Sequence, residues 1–245
     1  MSDSADREIK NRVVIITGGG GAVGSVVSRR WLEAGARVVV VDHRQSTIDE
    51  WKSNLDPAFL ERIATLAADL STDSGAMSMV ETATSAFGNA PDTLIHLVGG
   101  FAMAAVEDEN AQRTWERMMS INLTSAFQCY RAVLPSMRSR GGGWIVGLSS
   151  RAANAPAAKM SAYGASKAGL AALTSSLSSE VRSAGIHVNL IVASTIDTEA
   201  NRESMGADKA KNWVSPDDIA DATMYLCSDR ARSVHGATLE VFAYA

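Results

Sequence analysis

Residues 13–24 read VVIITGGGGAVG, a continuous apolar run that stops at Thr17 and opens into four consecutive glycines. Ordering a glycine in regular structure costs about 0.5–1 kcal/mol relative to alanine, so Gly18, Gly19, Gly20 and Gly21 need a local reason. The run before them does not alternate with polar residues, which is the pattern of a parallel strand covered on both faces. A helical pattern begins near Val23. A strand that ends in bare backbone and feeds a helix presents unpaired N–H groups and the positive end of the helix dipole at the sheet edge, where a pyrophosphate fits. Gly19, Gly21 and Gly24 satisfy G-x-G-x-x-G: one glycine for the turn, one for the approach of the phosphate, one for close packing of helix on strand. Taken alone the motif also describes a flexible loop.

The rest of the chain decides between the two readings. Apolar, β-rich runs at 13–17, 36–42, 63–68, 94–98, 144–148, 187–192 and 237–242 alternate with segments of helical period at 23–34, 73–87, 110–138, 161–183 and 216–228. Each helical segment is long enough to be a crossover between parallel strands. The expected fold class is α/β, a Rossmann-like doubly wound parallel sheet in a single domain over 12–245, with residues 1–11 as a tail. Residues 194–213, polar and rich in charge, read as a substrate loop over the site. Asp42 ends the second apolar run 18 residues after Gly24, where a carboxylate accepts hydrogen bonds from an adenosine ribose. A carboxylate there repels a 2′-phosphate, which favours NAD; Arg44, two residues on, keeps NADP as the alternative.

Composition narrows the ligands. The chain has 245 residues, 46% hydrophobic and 20% charged, enough to close one large core. A net charge of −4 and a pI near 5.6, with no basic block, argue against a nucleic-acid or anionic-membrane partner and for small molecules. Cys129 and Cys227 stand far apart, so neither a disulfide framework nor a CxxC metal site is expected. The first residues are charged and lack an apolar signal core, and no stretch reaches the length of a membrane-spanning helix. The expectation is a soluble, cytoplasmic protein.

Residues 144–169, WIVGLSSRAANAPAAKMSAYGASKAG, carry the chemistry. Tyr163 and Lys167 lie four apart on a predicted helix and so share a face. Ser149 and Ser150 end the preceding strand, at the edge where an open α/β sheet places its ligands. A free phenol titrates near pH 10, so bringing it to neutrality takes about 3 units, roughly 4 kcal/mol in favour of the phenolate. One ammonium at about 4 Å supplies roughly 1 kcal/mol in water and about 4 at an effective dielectric of 20. An oxidised nicotinamide pushes the same way. A tyrosine so tuned can give a proton to a carbonyl oxygen as hydride arrives, or take one from an alcohol as hydride leaves.

With these residues assembled, the sequence resembles the short-chain dehydrogenases/reductases, in a 3-oxoacyl-reductase-like form. The match rests on TGGGGAVG at 17–24, Asp42, Asp69-Leu70, INL at 121–123, Ser150, YGASK at 163–167, VN at 188–189 and SPDDIA at 215–220. The resemblance implies a tetrad of Asn122, Ser150, Tyr163 and Lys167. In it Asn122 kinks a helix and supports a proton-relaying water, Ser150 holds the substrate oxygen, Tyr163 is the acid/base, and Lys167 tunes it and holds the nicotinamide ribose. It further implies cofactor contacts from Gly18, Gly19, Gly20, Gly21, Ala22, Val23 and Gly24, from Asp42, from Asp69 and Leu70 at the adenine, from Val98 and Gly99, and from Ile196 and Thr198 at the nicotinamide.

The chain also departs from the family pattern. Ala22 replaces a glycine; His96-Leu97-Val98-Gly99 replaces Asn-Asn-Ala-Gly; Ala193-Ser194 replaces Pro-Gly; and VFAYA replaces an Asp-Gly-Gly ending. His96 reads as a core histidine before a catalytic one. Phe101, Met103, Met205 and Trp213 are apolar candidates for the substrate pocket. From Met160 to Ser179 the only charged residue is Lys167, so this helix is apolar or small on more faces than one sheet covers, which implies a homo-oligomer, dimer or tetramer. The expected activity is NAD(P)-dependent interconversion of an alcohol and a ketone or aldehyde. The alternatives are a non-catalytic dinucleotide-binding sensor or scaffold and, among enzymes, a pterin reductase.

Overall fold

The computed structural model describes residues 9–244. Strands β1 (Val13–Thr17), β2 (Arg37–Asp42), β3 (Ile63–Ala67), β4 (Thr93–His96), β5 (Gly143–Ser150), β6 (Ile186–Ala193) and β7 (Thr238–Val241) form one sheet in the order β3-β2-β1-β4-β5-β6-β7, every neighbouring pair parallel. The order reverses between β1 and β4, and at such a switch point the loops diverge to opposite faces and leave a crevice at the strands' C-terminal ends.

The unbroken apolar runs are explained by the layers on the two faces. Val13, Ile15, Val39 and Val41 pack into one core with residues of α3 (Asp73–Phe87), α5 (Ser125–Arg140) and α6 (Ser161–Val181). Their neighbours Val14, Ile16, Val38 and Val40 pack into the other core with α1 (Ala22–Glu33), Trp51 of α2 (Gln45–Ser53) and α8 (Pro216–Leu226). With both faces covered, every second position has as much reason to be apolar as its neighbour. The SPDDIA stretch has a plain physical role at the start of α8. Ser215 and Asp218 close a reciprocal capping box, and Pro216 fills the first turn, where its missing N–H costs nothing.

The structure differs from the sequence reading at several edges. Helix α2 was not expected; it is nine residues long with only Ile48 and Trp51 buried, too few apolar positions to show a period. The expected helix over 110–138 is two helices, α4 (Ala111–Met119) and α5, joined by a π-turn at Ser120–Thr124. Residues 194–213, expected as a substrate loop, contain α7 (Glu199–Met205) and a 3₁₀ segment at Ala207–Asn212, and are tied back by a bridge between Ile196 and Val214. At the N-terminus Ile9 is fully buried and Asn11 N–H donates to Gly35 O at 3.0 Å, so the packed chain starts before residue 12. Residues 1–8 of the expected tail lie outside the described residues.

Candidate active site

The glycine loop leaves β1 with Gly18 at φ +65°, a left-handed conformation that glycine adopts without strain. A Cβ on Gly24 would lie 1.9 Å from Gly18 O, and one on Gly19 would lie 2.7 Å from Ile16 O. Helix α1 therefore sits directly on the end of β1. Its N-cap Gly21 has no side-chain cap and its first turn no acidic residue, whereas Thr72, Thr198 and Ser215 cap α3, α7 and α8. The free N–H groups and the dipole of α1 are thus open to an anion, and the loop fits a dinucleotide's pyrophosphate. Ala22 is exposed at the first position of α1, so the methyl in place of the family's glycine meets no obstacle. Substituting Gly24 by alanine forces strand and helix apart. A cost of about 3 kcal/mol, seen as a melting temperature lower by roughly 6–12 °C in scanning calorimetry, is the expected outcome, together with loss of NADH binding.

Asp42 stands at the end of β2, its Oδ1 accepting from His43 N–H at 2.8 Å. Asp69 Oδ1 accepts from both Ser71 N–H (2.9 Å) and Ser71 Oγ (2.7 Å), and these bonds hold its carboxyl below the ordinary range. Leu70, expected beside the adenine, turns its side chain inward. It is 4% exposed and packs into the core with Val39, Val41 and Met79, because the turn after β3 points it down onto the sheet.

The chemistry-bearing residues meet on the other side of the switch point. Tyr163 and Lys167, one turn apart on α6, line one groove of about 500 Å³ with Ser150, Gly99, Ile196 and Thr198. Lys167 is 5% exposed and donates from Nζ to Leu148 O at 2.9 Å; burial pulls its pKa down to about 8. Tyr163 is pushed above its ordinary value by burial, and a hydrogen bond with Ser150 opposes the shift. The expectation of a phenol brought to neutrality by Lys167 is therefore not met by the polypeptide alone. The ammonium is turned to a strand carbonyl, and desolvation dominates at both groups. Asn122 is fully buried in the π-turn. Its Oδ1 accepts from Gly100 N–H at 2.8 Å, and its Nδ2 donates to Gly100 O at 3.1 Å and to Ser166 Oγ at 2.9 Å. The extra residue of the π-turn aims the side chain sideways at the sheet edge. Asn122 does not line the groove; it grips the segment that does.

The structure gives further residues their places, some named by the sequence reading and some not. Thr17 Oγ1 accepts from Leu97 N–H (3.2 Å) and Val98 N–H (3.4 Å) where β4 ends at His96; Leu97 and Gly99 line the groove, while Val98, expected at the cofactor, packs against the core. Ser149, passed over in favour of Ser150, is buried and donates to Lys167 O at 3.1 Å. Phe101 meets Tyr163 edge-on, centroids 5.0 Å apart. Met160 and the small residues Ala155 and Ala157, before α6, form part of the wall; nothing in their composition marked them. Thr198 caps α7 through its hydroxyl, and Asn201 Nδ2 holds Ile196 O at 2.8 Å. Two departures from the family pattern act together: Ser194 donates from Oγ to Phe242 O at 2.9 Å, a bond no glycine could make. Trp213 lies outside this groove, while Met205 lines it. Among the described residues no three His, Cys, Asp or Glu side chains are grouped to hold a metal ion.

A family model described as short chain dehydrogenase matches residues 12–209. The chain is a short-chain dehydrogenase. As a member of that family it is an oxidoreductase acting on CH–OH groups. This dehydrogenase is 31% identical to the short chain dehydrogenase ausX of Aspergillus calidoustus over 256 residues, covering 95% of this chain and 96% of the relative. It superposes on a crystal structure of a short-chain dehydrogenase/reductase from Brucella melitensis, a glucose/ribitol dehydrogenase by its description, with a TM-score of 0.84 and 28% identity over 96% of each chain. The fold is shared as well with a 3-ketoacyl-(acyl-carrier-protein) reductase of Brucella melitensis solved with NADH. That match has a TM-score of 0.84 and 24% identity over 96% of this dehydrogenase and 98% of that chain.

Proposed function

We propose that this chain is an NAD(P)-dependent dehydrogenase/reductase that interconverts an alcohol and a ketone or aldehyde, with Tyr163 as the acid/base. The observation that supports it is the convergence of Tyr163, Ser150 and Lys167 on one groove at the switch point. That groove lies on the same sheet edge as the uncapped helix behind the glycine loop. Gly18 to Gly24 would hold the pyrophosphate, Asp42 the adenosine ribose, Asp69 the adenine edge, and Val98, Gly99, Lys167, Ile196 and Thr198 the nicotinamide half. When bound, the nicotinamide supplies or accepts the hydride and, oxidised, contributes a positive charge.

The chain's own residues do the rest. In reduction the Tyr163 hydroxyl gives its proton to the carbonyl oxygen, and Ser150 holds that oxygen; in oxidation Tyr163 takes the proton from the alcohol. Burial, which raises the phenol in the polypeptide alone, also keeps the local dielectric low, so a cation added beside it acts more strongly than in water. Asn122 holds Gly100 and Ser166 in register, and Ser166 in turn donates to Tyr163 O at 2.7 Å. The test is NADH binding by fluorescence followed by turnover across a carbonyl and alcohol panel. NADH binding with no turnover anywhere would indicate a sensor.

Asp42 supports NAD over NADP. Wild type should bind NADH at least about tenfold more tightly than NADPH, a difference of about 1.4 kcal/mol, and Asp42→Ser should narrow that ratio in direct titrations. NADPH binding tighter than NADH in the wild type would reverse the assignment. For assembly, the exposed positions of α6 between Ser161 and Ser179 carry no charge, and Phe127 and Trp115 are 49% and 44% exposed. A homo-oligomer built on these helices accounts for both, and light scattering should give a mass of at least two chains.

A further inference from the structure

His96 has no part in the site as described so far, yet it stands between two of its walls. The ring is fully buried at the last position of β4. Nδ1 lies 3.0 Å from Thr17 Oγ1, and Nε2 lies 3.3 Å from Ser125 Oγ. The neighbours set the direction of both bonds. Thr17 Oγ1 already accepts from Val98 N–H and shares Leu97 N–H with its own carbonyl oxygen, so backbone donors face its lone pairs and its own proton goes to Nδ1. The Ser125 hydroxyl donates to Ile121 O at 2.6 Å, so its oxygen is left to accept and Nε2 must donate. Only one protonation state closes the series, the neutral Nε2–H tautomer, because a charged ring has donors on both nitrogens and would face the engaged Thr17 oxygen.

Both ends of that series belong to the site. Leu97 and Val98 lead into Gly99 and Gly100, the segment Asn122 grips on both backbone groups. Ile121 immediately precedes Asn122 in the π-turn. A Cβ on Gly99 would lie 3.0 Å from Asn122 Oδ1 and 3.1 Å from Lys167 Nζ, so a small shift of this segment is felt by both groups.

We propose that His96 is a positioning residue: as the uncharged Nε2–H tautomer it braces the π-turn that carries Asn122 against the end of β1, and so sets the placement of Asn122 and Lys167 for turnover. The role rests on the functional reading given above. Its surroundings suit a permanently neutral ring. Tyr130 meets it edge-on with centroids 5.9 Å apart, and Lys167 is the charge that faces it; burial and that charge together hold its pKa down at about 3.

Three substitutions separate bracing from space-filling. The terminal amide of glutamine reaches where Nε2 reaches, that of asparagine where Nδ1 reaches, and phenylalanine keeps the ring without either bond. His96→Gln should keep kcat within about fivefold of wild type. His96→Phe and His96→Asn should lower it about 20–100-fold, the scale of a misplacement of about 1 Å, with the KM for NADH changed less than about threefold. Ser125→Ala, which leaves His96 intact and removes only the far end of the brace, should reproduce the loss in kcat even where a His96 variant folds poorly. Independently of turnover, ¹⁵N NMR of the full-length protein should show His96 as the Nε2–H tautomer with no titration from pH 5 to 8. An Nδ1–H tautomer, a titration near 6.5, or wild-type kcat in Ser125→Ala, His96→Phe and His96→Asn would each overturn the proposal. A wild type that binds NADH but turns over no substrate would sink the functional reading and the catalytic consequence of the brace, while the tautomer spectrum would still decide whether the brace exists.

Discussion

Tyr163→Phe should lower kcat by about 10³-fold, within the 10²–10⁴ range of general acid–base catalysis, and leave NADH affinity within about twofold. The substitution removes one oxygen and keeps the ring. The edge-on contact with Phe101 at 5.0 Å and the packing around a mostly buried side chain are preserved, so the loss is one of chemistry. Stability should be unchanged or slightly higher, because the phenol's buried hydroxyl is replaced by hydrogen and Ser150 remains at the groove, where water can satisfy it. Steady-state kinetics on the best substrate of the panel, cofactor fluorescence and a melting curve read the three quantities separately. A phenylalanine variant with undiminished turnover would remove Tyr163 from the mechanism.

Lys167→Met should abolish turnover while making the protein more stable. The ammonium is 5% exposed, and burial holds its pKa at about 8 against the ordinary 10.5. A basic group whose folded value is lowered opposes folding wherever it is protonated in both states. The full cost, about 2.5 units or roughly 3 kcal/mol, is present below pH 8, shrinks as pH rises from 8 to 10.5, and is gone above. Methionine removes it and fills similar volume, at the expense of about 1 kcal/mol for the Leu148 carbonyl left without its donor at 2.9 Å. The net expectation at pH 7 is a gain of about 2 kcal/mol, or roughly 4–8 °C in melting temperature, and the advantage over wild type should vanish by about pH 10. A variant less stable than wild type at pH 7 would mean that the ammonium is better solvated in the fold than its burial implies. Such a trade is expected where a charge is kept dry for chemistry rather than for stability.

How far the sequence reaches is clearest in particular residues. Continuous apolar runs forecast a sheet covered on both faces because each strand residue meets a helix layer on one side or the other, whatever the detailed packing. The glycine loop was legible because no side chain fits between Gly24 and Gly18 O, a constraint that must appear in composition. Tyr163 and Lys167 were legible because helical geometry alone puts i and i+4 on one face. By contrast, α2 has too few buried positions to leave a period, and the packing of Leu70 into the core with Val39 and Val41 could not be read from its place after Asp69.

The local pattern of this chain, then, was sufficient for the class of fold, the place of the glycine loop and the identity of the groups at the sheet edge, since each follows from backbone geometry within a few residues of itself. Only the tertiary structure decided that Lys167 turns to Leu148 O, that Asn122 works through Gly100 and Ser166, and that His96 joins Thr17 to Ser125. Those partners lie 19 to 79 positions apart in the chain, and hydrogen-bond direction and desolvation depend on who the neighbours are, which spacing along one segment does not encode.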